Sequence, residues 1–363
     1  MRNLLKRLKR AFEAWRLRRR LARDASRGFA YDHAQFRAWA GALHLDRKAA
    51  ACAEIVMGYH VLEKGLTMPR RRLGFGQGAV VRLIELIEVF EQRFGTDDPQ
   101  VSHAVAVLRA YAELHTNADR GPAPGIVRSP NHDTHETPSE SHLSSGTRER
   151  LDRFLAAHPG ISAAVEPHVT REAFFASRNA PFPQFATSRH VCRHFAGPVP
   201  RETIEAAVTL ALSAPSACNR QHARVHAFND PALRDALFAL QGGTRGFGAD
   251  ADTVLVVTSD LSAIRWGWER HDAWVNGGIF AMNLCLALHW HGVAHCILHW
   301  SVPPEADQKA HALLDIPDSE AIVLLLACGT PPDEFDVAAS PRRNLGEILS
   351  WHGAESAERG RGQ

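Results

Sequence analysis

The chain lacks paired cysteines and long apolar runs, and each absence argues against a class of protein. Its six cysteines are scattered over 363 residues without a C-x-x-C motif, and most of them sit inside apolar runs. This pattern predicts buried free thiols in a reducing cytosol rather than a disulfide framework. No apolar run approaches the roughly 20 residues of a membrane-spanning helix, and no secretory signal follows the first basic residues. The sequence therefore predicts a cytoplasmic protein.

The chain also has little net charge, yet its first residues are strongly basic. The formal net charge of +2 hides a segment, 1–24, in which Glu13 and Asp24 are the acidic residues among many lysines and arginines. A basic amphipathic helix is predicted over residues 1–27, either docked on an anionic membrane at its inner surface or solvated or bound to a protein. Nothing elsewhere supports nucleic acid as a partner. The apolar positions at helical spacing are Leu4, Leu5, Leu8, Phe12 and Trp15.

Hydrophobic periodicity divides the rest of the chain into a helical part and an α/β part. Residues 28–115 are predicted to form a helical domain, with helices over 49–66 and 80–94. Residues 116–150 are rich in polar residues and proline without periodicity, which predicts a flexible linker. Connecting helices are expected over 151–186 and a tail over 351–363. Over 187–350, helices alternate with buried strands, which predicts an α/β (α+β) sandwich.

Two further features have both a chemical and a structural interpretation. The glycine-rich loop over 70–78 precedes a predicted helix and could cradle phosphate, but no strand precedes it and its spacing fits no phosphate-binding motif. Four histidines between 289 and 299 suggest a metal, but Gly292 interrupts the helix among them. A structural turn and core or pocket histidines are the favoured interpretations, and no metal site is predicted.

The most informative residues form two short motifs about twenty residues apart. In the first, Arg189 and Arg193 lie four residues apart ahead of a predicted helix, a spacing that suits an anionic phosphate. The second is a tight turn after that helix, whose backbone N–H groups and side-chain amide suit a flat, polar-edged ring. The turn contains Pro215, Ser216, Ala217, Asn219 and Gln221.

In this order and spacing the motifs resemble those of the FMN-dependent nitroreductase family, over about 187–349. The resemblance implies a sandwich of a mainly antiparallel sheet with helices. It implies FMN as cofactor, NADH or NADPH as electron donor, and a small-molecule acceptor. It also implies a homodimer, in which both subunits often line each flavin. Because the flavin carries the chemistry, no catalytic side chain is expected.

The resemblance further implies which residues bind the flavin. Arg189 and Arg193 would hold the phosphate and ribityl chain, and the turn would line the ring. Val191 stands where the family usually has a serine, and losing that donor would cost about 1.5–3 kcal/mol. A flavin-free scaffold that kept the fold is therefore the alternative function. The remaining implied residues are His190 between the arginines, Ile297, Leu298 and His299 along the ring, and Arg342 and Arg343 at the phosphate.

A separate signature lies in the helical part of the chain. Residues His60 to Leu66, followed by Leu73-Gly74-Phe75-Gly76, resemble the helical extension of some bacterial nitroreductase-like proteins associated with surface-polysaccharide gene clusters. The resemblance implies an acceptor from a glycan pathway, or an accessory role in such a pathway for a flavin-free protein.

Overall fold

The computed structural model describes residues 2–40, 44–120, 143–164 and 167–352, and its first part is helical. The helices predicted over 49–66 and 80–94 are confirmed, each with one or a few additional residues at its beginning. The first helix is longer than predicted, because it continues past residue 27 to Trp39. The helices of this region are α1 (Arg2–Trp39), α2 (Lys48–Leu66), α3 (Gln77–Phe94), α4 (Pro99–Arg120) and α5 (Ser145–Ala157).

The glycine-rich loop between α2 and α3 is a structural turn held by the core of α2 to α5. The Tyr111 hydroxyl donates to the carbonyl of Phe75 (2.5 Å), and the backbone N–H of Gly74 donates to Nε2 of His115 (2.9 Å). Gly65 of α2 lies against the Phe75 ring, where a Cβ atom would come within 2.0 Å of a ring carbon. The loop's backbone groups are thus engaged with the helical core rather than arranged for a phosphate.

Two neighbouring residues of α2 point to different parts of the molecule. The Glu63 carboxylate is fully buried and is bonded by Nε2 of His103 (2.7 Å) and Nδ1 of His60 (3.3 Å). Burial opposes its ionisation, but the bonds from the two histidines lower the pKa of Glu63 overall. The next side chain, Lys64, leaves the helical core and donates to the carbonyl of Gly243 (2.6 Å) in the following region.

The second part of the chain is built on a four-stranded antiparallel sheet. Its strand order is β2 (Ala223–Phe228), β3 (Thr253–Asp260), β5 (Glu320–Gly329) and β4 (Ala294–His299). A separate pair, β1 and β6, joins residues 168–170 to residues 334–336. The strands of this pair are β1 (His168–Thr170) and β6 (Glu334–Asp336). The helices are α6 (Arg171–Phe175), α7 (Phe182–Ser188), α8 (Arg201–Ala211), α9 (Pro231–Gln241), α10 (Asp272–Trp290), α11 (Pro304–Leu314) and α12 (Leu345–Ile348).

Helices cover both faces of the four-stranded sheet, so the central strands are buried on both sides. Leu255 and Val257 of β3 pack on α8 and α10, while Val254 and Val256 pack on the opposite side with α9 and α11. Gly277 lets α10 approach β5 closely, since a Cβ there would lie 2.6 Å from a side-chain atom of that strand. This arrangement explains the almost continuous apolar sequence of β3. The predicted α+β sandwich with a mainly antiparallel sheet is confirmed.

The segment after α2 joins the helical region to the sheet region. The Nε2–H of His194 donates to the carbonyl of Thr67 (2.7 Å), and Arg70 forms an ion pair with Asp250 (2.6 Å). Burial lowers the pKa of His194, which favours the neutral ring that makes this bond. The helical region is therefore attached next to the first of the two sequence motifs.

Several boundaries differ from the sequence-based expectations. Helices α4 and α5 extend into both ends of the range 116–150, because α4 ends at Arg120 and α5 begins at Ser145. Residues 121–142 of that predicted linker, and 353–363 of the predicted tail, lie outside the described residues. The range 151–186 contains a strand, β1, as well as helices. Among the described helices, none combines the length and apolarity that crossing a membrane requires.

Candidate cofactor site

The first motif lies in an extended segment that bonds to the outer edge of β4 and then to the residue after β5. The backbone N–H of Cys192 donates to the carbonyl of His295 (3.0 Å), and that of Ala196 donates to the carbonyl of Thr330 (2.8 Å). Strand β4 is at one end of the sheet order, so its outer edge would otherwise be unpaired. The segment therefore holds its side chains in fixed positions along the sheet edge.

Arg189 begins this segment and carries an uncompensated guanidinium. Its Nε and Nη1 atoms are buried and have no hydrogen-bond partner among the described residues. Burial, followed by the nearby charges of Arg189 and Arg342, lowers the pKa of His190. Three basic side chains therefore share one region, and two donors of Arg189 are unsatisfied. Buried donors of this kind are rarely left without an acceptor, so the arrangement fits an anionic group.

Two buried histidines lie next to Arg189. The Ser188 hydroxyl is 3.0 Å from Nε2 of His289, at the end of α10. Burial, and then the charge of Arg189, lowers the pKa of His289 to about 4, and burial lowers that of His295 to about 4 as well. Both rings are therefore neutral near pH 7 and add no further positive charge to the region.

The structure does not bring Arg193 to the same place as Arg189. Arg193 lies close enough to Lys64 and Cys296 to shift their pKa values, whereas Arg189 acts on His295. His295 and Cys296 are consecutive in β4, so their side chains point to opposite faces of the sheet. The two guanidinium groups thus lie nearest to opposite sides of the sheet edge. Val191, between them, supplies no hydroxyl.

The two arginines near the end of the chain have different partners. Arg342 lies near His190, and its Nη1 donates to the carbonyl of Ser340 (2.5 Å). Arg343 instead pairs with Glu347 (2.9 Å) and comes within 3.9 Å of the Cys52 sulfur in α2. Both arginines lie near Tyr59 of α2, and of the two Arg342 also reaches His190 in the Arg189 group.

The second motif is a tight turn in a strained backbone conformation. Cys218, Asn219 and Gln221 have positive φ angles of 52°, 53° and 49°, which non-glycine residues rarely adopt. The Ser216 hydroxyl accepts from the backbone N–H of Gln221 (3.0 Å), and the exposed side chains of Asn219 and Gln221 bond to each other (3.0 Å). Such strain persists where surrounding contacts impose it and is common at binding sites.

Those contacts come from the beginning of α10. The side chain of Asn276 accepts from the backbone N–H of Ala217 (2.8 Å), and Arg220 pairs with Glu269 and Asp272 (both 2.9 Å). Arg220 sits between the turn residues in the sequence and points away from the exposed face. Asn276, Glu269 and Asp272 thus hold the turn in place, while the side chains predicted to contact the ring remain accessible. Pro215, at the beginning of the turn, is also exposed.

Residues 297–299 occupy the end of β4. The side chain of Leu298 is buried in the core shared with α9 and α11, whereas Ile297 and His299 are exposed. The carbonyl of His299 accepts from Nε2 of Gln241 (3.1 Å). Any contact of this stretch with a ligand would therefore use its backbone or the side chains of Ile297 and His299, not that of Leu298.

The two motifs contact opposite ends of α10 within one chain. Arg189 lies by His289 in the last turn, and the strained turn bonds to Asn276 in the second turn. These positions are thirteen residues apart in α10, which corresponds to roughly 20 Å at 1.5 Å per residue. A single chain therefore presents a basic region and a polar turn as two separate half-sites.

The comparison with protein families decides what kind of domain carries these half-sites. Residues 186–243 and 237–330 match the model of the Nitroreductase family. Residues 186–330 form a nitroreductase-family domain. Both motifs and the whole of α10 lie within this nitroreductase domain, whereas Arg342 lies beyond its matched residues. The comparison with curated proteins gives no match.

Several solved structures are similar to the nitroreductase domain. A nitroreductase-like protein of Streptococcus mutans is 20% identical, with 47% of this chain and 98% of that chain covered and a TM-score of 0.41. A Bacillus subtilis protein named as a nitroreductase is 18% identical, with 47% and 98% covered and a TM-score of 0.41. A Staphylococcus epidermidis protein named as an NAD(P)H:FMN oxidoreductase is 16% identical, with 48% and 96% covered and a TM-score of 0.42.

Sequence reasoning missed the residues that support the nitroreductase domain's two half-sites. Arg220, Asn276 and His289 act through contacts between distant parts of the chain, and no local pattern signals them. The histidines between 289 and 299 do not assemble a metal site, since no group of three or more His, Cys, Asp or Glu side chains in the described residues could hold a metal ion. His289 and His295 are buried near Arg189, whereas His299 is exposed.

Proposed function

We propose that the chain is a cytoplasmic, FMN-dependent NAD(P)H oxidoreductase that reduces a small-molecule acceptor. The observation that carries the proposal is Arg189, whose two buried donors lack an acceptor in a region that also holds His190 and Arg342. A phosphate would satisfy those donors through charge-assisted hydrogen bonds. The family match of residues 186–330 supports a flavin phosphate as the anion.

The chain's own residues would bind and orient the cofactor. Arg189 and Arg342 would hold the phosphate, while the turn from Ser216 to Gln221 would present the Asn219 amide to the polar edge of the ring. Because that turn is clamped by Arg220, its donors would not need to reorganise on binding. When bound, FMN would accept a hydride from NADH or NADPH and pass it to the acceptor.

A homodimer would bring the two half-sites together. Helix α10 exposes an apolar face formed by Val275 (55% exposed), Ile279 (41%) and Met282 (44%), which recur at helical spacing. Apolar faces of this kind mark association surfaces. If two copies pack α10 against α10 in antiparallel orientation, the turn at the beginning of one α10 lies beside Arg189 at the end of the other. Each flavin would then be bound by both copies.

Titration with FMN tests the proposal on the purified full chain. We expect a yellow protein that quenches flavin fluorescence and binds one FMN per chain. The alternative is a flavin-free scaffold that acts as an accessory protein in a surface-polysaccharide pathway. It is favoured by Val191, which supplies no hydroxyl, and by the position of Arg193 away from Arg189. A colourless protein that leaves added FMN free in solution would establish the scaffold and reject the enzyme.

A further inference from the structure

Helix α1 projects from the rest of the molecule with its apolar side exposed. Residues 5–20 are all exposed, and Leu8, Phe12 and Trp15 have 58%, 56% and 48% of their surface in solvent. The rings of Phe12 and Trp15 stack on each other at 5.7 Å, so they form one continuous apolar surface. Exposed aromatic surface of this extent is unfavourable in water and marks an interaction site.

The later part of α1 is fixed to the nitroreductase domain. Asp32 accepts two hydrogen bonds from Arg270, both 2.5 Å long, and these bonds together with the Arg270 charge lower the pKa of Asp32 to about 2. The backbones also approach closely, since a Cβ at Gly267 would lie 2.5 Å from the backbone nitrogen of Ala25. The exposed half of α1 is therefore held in a defined direction by its second half.

The exposed apolar residues lie on the side of α1 that faces away from this contact. At about 100° per residue, Leu8, Phe12 and Trp15 fall on average roughly 115° around the helix from Ala25 and Asp32, and roughly 170° from Gly28, which packs on Arg270. The apolar surface is thus unavailable to the chain's own nitroreductase domain. It remains available to a flat external surface.

The charges around this apolar surface identify its partner. The segment 1–24 contains ten lysines and arginines against Glu13 and Asp24. Arg16 and Arg19 lie over the rings of the apolar residues (5.9 and 4.8 Å), and Lys9 is on an adjoining face of the helix. A second α1 would bring like charges together, whereas anionic lipid headgroups would neutralise them and admit the aromatic rings between them.

We propose that α1 docks the protein on an anionic lipid surface, with Leu8, Phe12 and Trp15 inserted and the flanking cations at the headgroups. The Asp32–Arg270 clamp would then hold the nitroreductase domain at a fixed side of that surface. The clamp also connects to the candidate cofactor site, because Glu269, next to Arg270, pairs with Arg220 beneath the strained turn. The proposal does not depend on flavin binding.

Vesicle co-sedimentation of the full chain tests this proposal. We expect the protein to pellet with vesicles of phosphatidylcholine and phosphatidylserine, to stay in solution with phosphatidylcholine alone, and to release as salt screens the charges. Replacing Lys9, Arg16 and Arg19 by glutamine should weaken binding roughly 100-fold, at about fivefold per cation. Replacing Phe12 and Trp15 by serine should weaken it at least tenfold.

Phe36→Ser is the matched control, because Phe36 is on the same helix and 71% exposed but lies roughly 120° around it from Phe12. Its binding should stay within twofold of the unchanged protein. All the replaced side chains are largely exposed, so equal melting temperatures will verify folding. Equal pelleting of every variant would overturn the proposal. So would a larger assembly in sedimentation velocity, without vesicle binding, that the Phe12 and Trp15 replacements dissolve, since the partner would then be a second copy.

Discussion

The Arg189→Ala substitution is expected to weaken FMN binding without lowering the unfolding free energy of the protein without FMN. In the protein without ligand, the Arg189 guanidinium is half-buried, and its buried Nε and Nη1 donors lack partners among the described residues. Removing it takes away an uncompensated charge, so the free energy of unfolding should stay equal or rise. With FMN bound, the same group would make two charge-assisted bonds to the phosphate. Their loss should cost about 2–3 kcal/mol, or roughly 30- to 150-fold in affinity.

Flavin fluorescence titration and thermal unfolding without FMN measure the two effects separately. Arg193→Ala is the matched control, because Arg193 lies on the other side of the sheet edge beside Lys64. We expect Arg193→Ala to change the FMN dissociation constant by less than fivefold, a shift of under about 1 kcal/mol. Equal dissociation constants for Arg189→Ala and the unchanged protein would refute the phosphate role. A large fall in the melting temperature of Arg189→Ala without FMN would refute the account of an unpartnered charge.

Three further predictions concern acid stability, assembly and packing. His289 and His295 have pKa values lowered to about 4, so both rings are neutral in the folded protein above pH 6.5. The melting temperature should therefore fall as the pH drops from 6.5 to 4, because the unfolded chain binds protons that the folded protein does not. A melting temperature that does not change with pH would contradict the burial of these histidines. Ile279→Asp should halve the particle mass in sedimentation velocity and remove bound FMN, and an unchanged mass would exclude α10 as the dimer face. Gly65→Ala should cost about 1–3 kcal/mol of unfolding free energy, because its Cβ would meet an aromatic ring at 2.0 Å. In contrast, Gly78→Ala, with nothing within 4 Å, should be neutral or stabilising, and equal losses would contradict the packing argument.

Local patterns in the sequence were enough to predict most of the helices and strands. The helices over residues 49–66 and 80–94 have strong apolar periodicity, and both form nearly where expected. The pair β1 and β6 was not predicted, because each strand has three residues and forms only by pairing across the chain. Periodicity needs longer runs than this to give a signal.

The candidate site was predictable in its composition but not in its geometry. The motifs predicted Arg189 and a tight turn as parts of the site, because arginine spacing and turn composition are local properties. Nothing local indicates that Arg193 turns toward Lys64, or that Arg343 packs near Cys52, since both depend on how the helical region meets the sheet. The clamp of Arg220 on α10 likewise arises from tertiary contacts.

Anaerobic reduction by NADH or NADPH tests the central claim most directly. The full chain would be loaded with FMN, freed of excess cofactor by gel filtration, and mixed with each nucleotide while the flavin absorbance is followed. The account predicts that the absorbance of bound flavin is lost with at least one of the two nucleotides and returns when an oxidised acceptor is added. A protein that binds no FMN, or that holds FMN which neither nucleotide reduces, would contradict it.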